Sequence, residues 1–411
     1  MVNLIFWLIL IIIVATFLLE RWLDLMNVRH TVSELPEALK GIFDKEEYKK
    51  SQLYKKENTR FSFVSSTFSL LLMVVAVAFG LFGWLDGKLN SITDSYYLIV
   101  LLFFGIIGLL SDVFSIPFNV YDTFVIEEKY GFNRTTVKTF ILDKIKGWLL
   151  AVIVGGGVLL LIIWFYLKTE SYFWILAWGM TTFFSIFISM FYSNLIVPLF
   201  NKQKPLEDGE LKTMIEDFTA KVGYRLKNIY VIDGSKRSSK ANAYFTGLGP
   251  KKRIVLYDTL IADLENREIV GVLAHEIGHY KKKHTLLGMI LGILQTGIMF
   301  YLFSLFVSRP EFSQALGGDV AKFHLGLIAF AILYSPLQLF VSIFMNMISR
   351  KNEYQADRYA AENFGAEYLS SALKKLYKNS LGNLTPHPLY VFFHYSHPTL
   401  LQRITAMEGD K

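Results

Sequence analysis

Seven apolar stretches dominate this chain, and each approaches the roughly 20 residues that an α-helix needs to cross a bilayer core. They are Leu4–Leu19, Ser62–Leu85, Tyr96–Leu110, Gly147–Leu167, Tyr172–Val197, Leu286–Val307 and Phe323–Ile348. Lipid offers backbone amides no partner, so such stretches fold as helices whose hydrogen bonds close internally. Composition agrees: 53% of residues are hydrophobic and 19% are charged, against about 25% charged in soluble domains. The expected architecture is an all-α polytopic membrane protein with a small α+β domain. The first stretch lacks a basic residue ahead of it, and "ERWLDL" behind it makes a poor cleavage site, so it reads as a retained signal anchor. Asp112, just past the third stretch, reads as a helix-end residue near the interface.

Basic residues set the expected orientation. The loops after spans one, three and five and the tail after span seven carry 38 Lys and Arg, while the alternate loops carry 4. By the positive-inside rule the N-terminus lies outside and the C-terminus in the cytosol. The segment 198–285 and the tail 349–411 then share the cytosolic side, separated in sequence by spans six and seven (286–348), with spans one to five in 1–197. The net charge of +7 reflects this topology; no basic-aromatic recognition motif accompanies it, which argues against nucleic-acid binding. The chain has no cysteine, which excludes disulfides, Cys-ligated zinc and a thiol nucleophile.

Within 198–285, "RLKNIYVIDG", "ANAYFTGLG" and "RIVLYDTL" read as short strands, the second ending in a turn. "LENREIVGVLAHEIGHYKKKH" reads as a helix with Ile269, Leu273 and Ile277 on one face. That helix carries His275, Glu276 and His279. Positions four apart share a face, so the two histidines can hold one zinc ion while Glu276 serves as general base toward an activated water. A catalytic zinc needs a third protein ligand, and the extended HExxHxxGxxH pattern fails because Lys282 and Thr285 stand where Gly and His are required. Glu353 and Asp357, four apart in "SRKNEYQADRYAAENFG", supply candidates. Glu353 can complete a His-His-Glu set, and Asp357 can accept a hydrogen bond from a ligand histidine. His279 lies seven residues before span six, about 10 Å at helical rise, and Glu353 five residues after span seven, about 8 Å. Both emerge from the same membrane face, so neighbouring helices bring them together.

"LAHEIGHYKKKH" and "EYQAD", with "FVIEEKYGFNRTT", "NLIVPLFNKQKPLEDGEL", "GSKRSSKANAYFTGLG", "KKRIVLYDTL" and "YSHPTLLQRI" in that order, resemble the type I CAAX prenyl proteases over most of the chain. The resemblance implies seven helices around a water-filled chamber capped by a gluzincin-like metalloprotease domain. It implies one Zn2+ per chain on His275, His279 and Glu353, Glu276 as base, and removal of the C-terminal tripeptide from isoprenylated CAAX proteins. Asp357 falls on the family's acidic position, and His397 would stabilise the oxyanion. Asn242 and Tyr244 fall in the segment that presents an edge strand to the peptide, and Arg403 would pair with an acid. The implied partners are a lipid-modified peptide or protein substrate and membrane lipids, in a bacterial plasma membrane or an endoplasmic reticulum membrane. His324, His387 and His394 read as structural, and "KKKH" at 281–284 as an interfacial anchor.

Two other readings compete. A quality-control metalloprotease would keep the chemistry and lose the prenyl specificity, and such proteins typically lack the "EEKYGFN" segment. A transporter with a structural metal would carry ionisable residues at mid-span, and the span centres here are nearly free of charge.

Overall fold

The computed structural model describes residues 1–30, 35–224, 228–246 and 253–409. In chain order the helices that build it are α1 (Val2–Arg29), α2 (Lys45–Ala78), the short α3 (Leu81–Asn90), α4 (Tyr96–Tyr121), α5 (Val137–Thr169) and α6 (Phe173–Leu195). There follow α7 (Glu210–Lys221), α8 (Asn266–Lys281), α9 (His284–Phe306), α10 (Phe323–Asn363), α11 (Ala366–Asn379) and α12 (Leu400–Glu408). Among the described residues seven helices are long and apolar enough to cross a membrane, and they are α1, α2, α4, α5, α6, α9 and α10. Large apolar side chains such as Val152, Phe183 and Phe340 are exposed on them, as a surface meant for lipid requires.

Several helix ends differ from those expected, each for a local reason. α2 stops at Ala78 because Gly80 takes a left-handed φ of +61°, so Phe82 and Leu85 belong to α3 instead of to the second span. α4 runs on past Leu110 through Pro117 to Tyr121 and continues as a π-helical turn over Asp122–Glu127. Asp112 is therefore not a helix-end residue. It sits in mid-helix, where Lys144 of α5 at 2.6 Å and the Trp148 indole N–H at 2.9 Å satisfy its two oxygens. α10 is one helix of 41 residues, roughly 61 Å at 1.5 Å per residue and twice a bilayer core. The expected boundary at 348/349 thus falls inside a continuous helix.

The strands β1 (Gln203–Pro205), β2 (Ile229–Ile232), β3 (Ala243–Thr246) and β4 (Arg253–Tyr257) form a four-stranded sheet in the order β1-β2-β4-β3. β2 and β4 are parallel, and β1 and β3 pair antiparallel on either side, leaving β3 at an edge. β1 was not anticipated, and the Asp258-Thr259-Leu260 end of "RIVLYDTL" is helical. Residues 225–227 and the turn at 247–249 lie outside the described residues. Period-two alternation sorts the strand side chains. Ile254 and Leu256 enter the main core with Ile269, Leu273 and Ile277 of α8, while Val255 packs with Val197 and Ile232 on the opposite face.

Two ion pairs tie the strap before β3 to the membrane helices. The Arg237 guanidinium donates to both oxygens of Asp143 at 2.7 and 2.9 Å, and Lys240 donates to Glu127 at 2.7 Å. The backbone joins in, since Ser239 N–H donates to the Phe132 carbonyl at 3.0 Å. The "EEKYGFN" segment, through Glu127 and Phe132, therefore anchors the strap that leads into the edge strand.

At the far end of the bundle, α3 lies on the loop joining α9 and α10. Gly83 N–H donates to the Leu316 carbonyl at 3.0 Å, and a Cβ on Gly83 would stand 1.9 Å from the Gly317 carbonyl oxygen. His324, fully buried at the start of α10, meets Asp86 of α3 at 2.9 Å. Gly83→Val is expected to destabilise the protein in detergent by about 1–3 kcal/mol or more, since backbone on both sides must move. Gly87→Ala, in the same helix with open space at its Cβ, is expected to be neutral or slightly stabilising. Thermal unfolding of both variants checks the pair, and equal behaviour would refute the close contact.

Candidate active site

α8 starts from a capping box in which Glu265 and Glu268 satisfy one another's backbone N–H groups. The Glu268 carboxylate is buried and also takes Ser371 at 2.6 Å and Lys375 at 2.8 Å from α11, which fixes the start of the helix. Two glycines seven residues apart then let neighbours approach. A Cβ on Gly271 would lie 3.1 Å from the Leu369 backbone of α11, and one on Gly278 would lie 3.1 Å from Ala356 Cα of α10. Gly278 sits between Glu276 and His279, so α8 and α10 come into close backbone contact at the motif itself.

That crossing brings three side chains to one point. His275 Nε2 and His279 Nε2 are 3.1 Å apart, and the Glu353 carboxylate of α10 lies 3.5 Å from the first and 3.2 Å from the second. One ligand atom from each falls within 4.8 Å of the others. Glu353 is almost wholly buried, and its Oε2 makes no hydrogen bond of acceptable geometry, although His397 Nδ1 is 2.9 Å away. Two imidazole nitrogens and a buried carboxylate with unused capacity, all facing one volume, fit a zinc ion with an open position. Glu276 is next to His275 on α8 and half-buried, turned about 100° round the helix axis from it.

Asp357, one turn beyond Glu353, backs the site. It accepts from His275 Nδ1 at 2.8 Å and from Arg403 of α12 at 2.8 and 2.6 Å in a two-pronged pair. Burial works against a charged His275, but Asp357 and Glu353 outweigh it and push its pKa up to about 9. Burial likewise opposes the Arg403 cation, and Asp357 more than compensates. His397 is exposed and hangs over the site from the segment before α12, which Arg350 of α10 holds by donating to the Tyr395 carbonyl at 2.6 Å.

Tyr244 belongs to the edge strand β3, and Asn242 directly precedes it. Asn242 is exposed just ahead of β3, and its carbonyl accepts from Tyr257 N–H at 3.1 Å. Tyr244 turns into the Val197 and Val255 cluster and accepts from the Gln203 amide at 3.3 Å. Sequence reasoning missed His284 and Gln355. His284 Nδ1 lies 3.1 Å from His279 Nδ1, and Gln355 Oε1 lies 3.0 Å from His284 Nε2. The available signal was a histidine five residues after the motif, set aside as part of a basic anchor.

A bundle of spanning helices that carries an HExxH helix against a buried glutamate defines a class, the polytopic membrane metallopeptidases. The chain belongs to peptidase family M48. The sequence model for that family matches residues 205–411, and the one described as "CAAX prenyl protease N-terminal, five membrane helices" matches residues 24–202. A CAAX prenyl protease 1 homolog from Arabidopsis thaliana is 36% identical over 406 residues, covering 97% of this chain and 96% of the relative. CAAX prenyl protease 1 from Saccharomyces cerevisiae is 36% identical over 425 residues, covering 96% and 93%. The crystal structure of S. mikatae Ste24p superposes with a TM-score of 0.92 at 35% identity, covering 98% of each chain. The protein is thus a membrane metalloendopeptidase of the CAAX prenyl protease type.

Arg403→Met leaves Asp357 buried with one partner fewer. Removing one member of a buried pair costs about 3–5 kcal/mol, so the variant is expected to show a clear fall in thermal midpoint in detergent. A midpoint unchanged from wild type would refute the pairing.

Proposed function

We propose that this protein is a zinc endopeptidase that removes the C-terminal tripeptide of isoprenylated CAAX proteins, working at the cytosolic membrane face. The observation that carries the reading is the convergence of His275, His279 and Glu353 beside Glu276, in a chain whose whole length resembles the CAAX prenyl proteases. Those three residues would hold one zinc per chain, which when bound would supply Lewis acidity to the water and the scissile carbonyl. Glu276 takes the water's proton and returns it to the departing amine. Asp357 accepts from His275 Nδ1–H and holds that ring's Nε2 toward the site. His397, exposed and above Glu353, donates a hydrogen bond to the developing oxyanion.

The substrate is held as an added strand. β3 lies at the sheet edge, and main-chain pairing there grips any sequence extended across the site. Asn242 meets the peptide at the strand's start, and Tyr244 serves binding by anchoring β3 to the sheet's outer face. Segments 198–285 and 349–411 form the protease part, while 1–197 and 286–348 form the membrane part that receives the substrate's lipid. The 38-to-4 division of basic residues supports an outside N-terminus with the protease part in the cytosol.

A CAAX-type peptide with and without farnesyl on its cysteine, offered to wild type and Glu276→Gln, tests the reading. Wild type is expected to cut the farnesylated peptide much faster, and Glu276→Gln to lose at least about 10²-fold in kcat while keeping its zinc. Equal rates on both peptides would remove the prenyl specificity and favour a quality-control protease. Zinc uptake supplies a separate check. His275 without metal stays protonated up to about pH 9, so binding at pH 7 is expected to release about one proton from it. Calorimetry in two buffers of different ionisation enthalpy reads that release, and its absence would remove His275 from the ligand set.

A further inference from the structure

The two histidines of the motif are supported in opposite ways. His275 Nδ1 faces an anion, since Asp357 stands 2.8 Å away and is itself gripped by Arg403. His279 Nδ1 faces another imidazole, that of His284, at 3.1 Å with ring planes 75° apart. His284 in turn meets the side-chain oxygen of Gln355 at 3.0 Å.

His284 owes this placement to a strained bend. α8 ends at Lys281 and α9 begins at His284, and Lys283 between them adopts a left-handed φ of +60°. A non-glycine residue enters that region only when its surroundings hold it there. The bend folds the first residue of α9 back over the last turn of α8, so that a residue five positions after His279 reaches its ring. His284 is 7% exposed although the four residues that follow it in the helix are all exposed.

Proton bookkeeping leaves one arrangement for a chain of neutral rings. If His279 offers Nε2 to a metal, its single proton is on Nδ1 and must be donated. His284 Nδ1 is the atom in reach and must accept, so the His284 proton is on Nε2, where Gln355 Oε1 accepts it. Gln355 lies two residues beyond Glu353 on α10. The relay therefore runs from one ligand-bearing helix through the bend to the other.

We propose that His284 and Gln355 are positioning residues for the metal site, a neutral relay that holds His279 in the Nδ1–H tautomer and fixes its ring orientation. The proposal rests on His279 being a zinc ligand, as set out above. The two ligands then differ by design. The anion-backed His275 is the stronger electron donor, while the amide-terminated relay orients His279 without adding negative charge to the site.

The test separates the hydrogen bond from the volume of the ring. His284→Phe keeps a buried aromatic ring and removes the acceptor, whereas His284→Asn places an amide oxygen near the position of Nδ1. Zinc affinity in purified protein, measured by competition with a chelator, is expected to fall about 10–100-fold in the phenylalanine variant and to recover most of that in the asparagine variant. Cobalt-substituted protein should show a shifted visible absorption band in the first and a near-wild-type band in the second. Gln355→Leu is expected to loosen zinc in the same direction by a smaller factor, and it keeps the test open should His284→Phe not fold. Wild-type zinc affinity in His284→Phe or in Gln355→Leu would overturn the relay, as would equal loss in the phenylalanine and asparagine variants. Wild-type protein that holds no zinc would instead remove the zinc-site reading, and the relay with it.

Discussion

The close crossing of α8 and α10 is the contact on which the site depends. Gly278 has no side chain, and that allows Ala356 of α10 to approach a helix whose next residue is His279. With a larger residue there, the Glu353 carboxylate would stand back from both imidazoles. α10 can deliver Glu353 reliably because it is a single helix from Phe323 to Asn363, so the bilayer half of the rod orients the half that carries chemistry. The hairpin of α9 and α10 acts as a jig, with its far end clamped by α3 through Gly83, Gly317 and the buried contact of His324 with Asp86.

The two buried carboxylates of the site are balanced in different ways. Glu353 and Asp357 are both buried carboxylates, which would be costly in isolation. Arg403 answers Asp357 directly, and a divalent cation would answer Glu353. The same logic explains why α12, the final helix, belongs to the site although it contributes no ligand. It brings Arg403, and its approach segment brings His397. The pairs from Arg237 to Asp143 and from Lys240 to Glu127 lock the edge strand's strap to the membrane helices. Edge strand and membrane helices are thereby held against one frame.

Where the sequence misled, the cause was a local signal overridden by something distant. The apolar run of the second span continues on both sides of Gly80, and the left-handed turn that splits it sits in close contact with Gly317, some 240 residues on. Asp112 looked like a terminus because an acid usually ends a span, yet Lys144 and Trp148 from α5 make it tolerable in mid-helix. His284 looked like the end of a basic anchor because its partners, His279 and Gln355, are joined only after the strained bend at Lys283.

The sequence alone determined the number of spans, the HExxH helix and the pair of acids four apart at Glu353 and Asp357, since each rests on periodicity or spacing within one element. Apolar runs of membrane length and histidines four apart carry their meaning locally. Tertiary structure decided the rest: which helix lies against which, how near Glu353 comes to the imidazoles, and which groups back them. Those are distances between residues far apart in the chain, set by glycine contacts, buried ion pairs and helix bends whose energies depend on both partners at once.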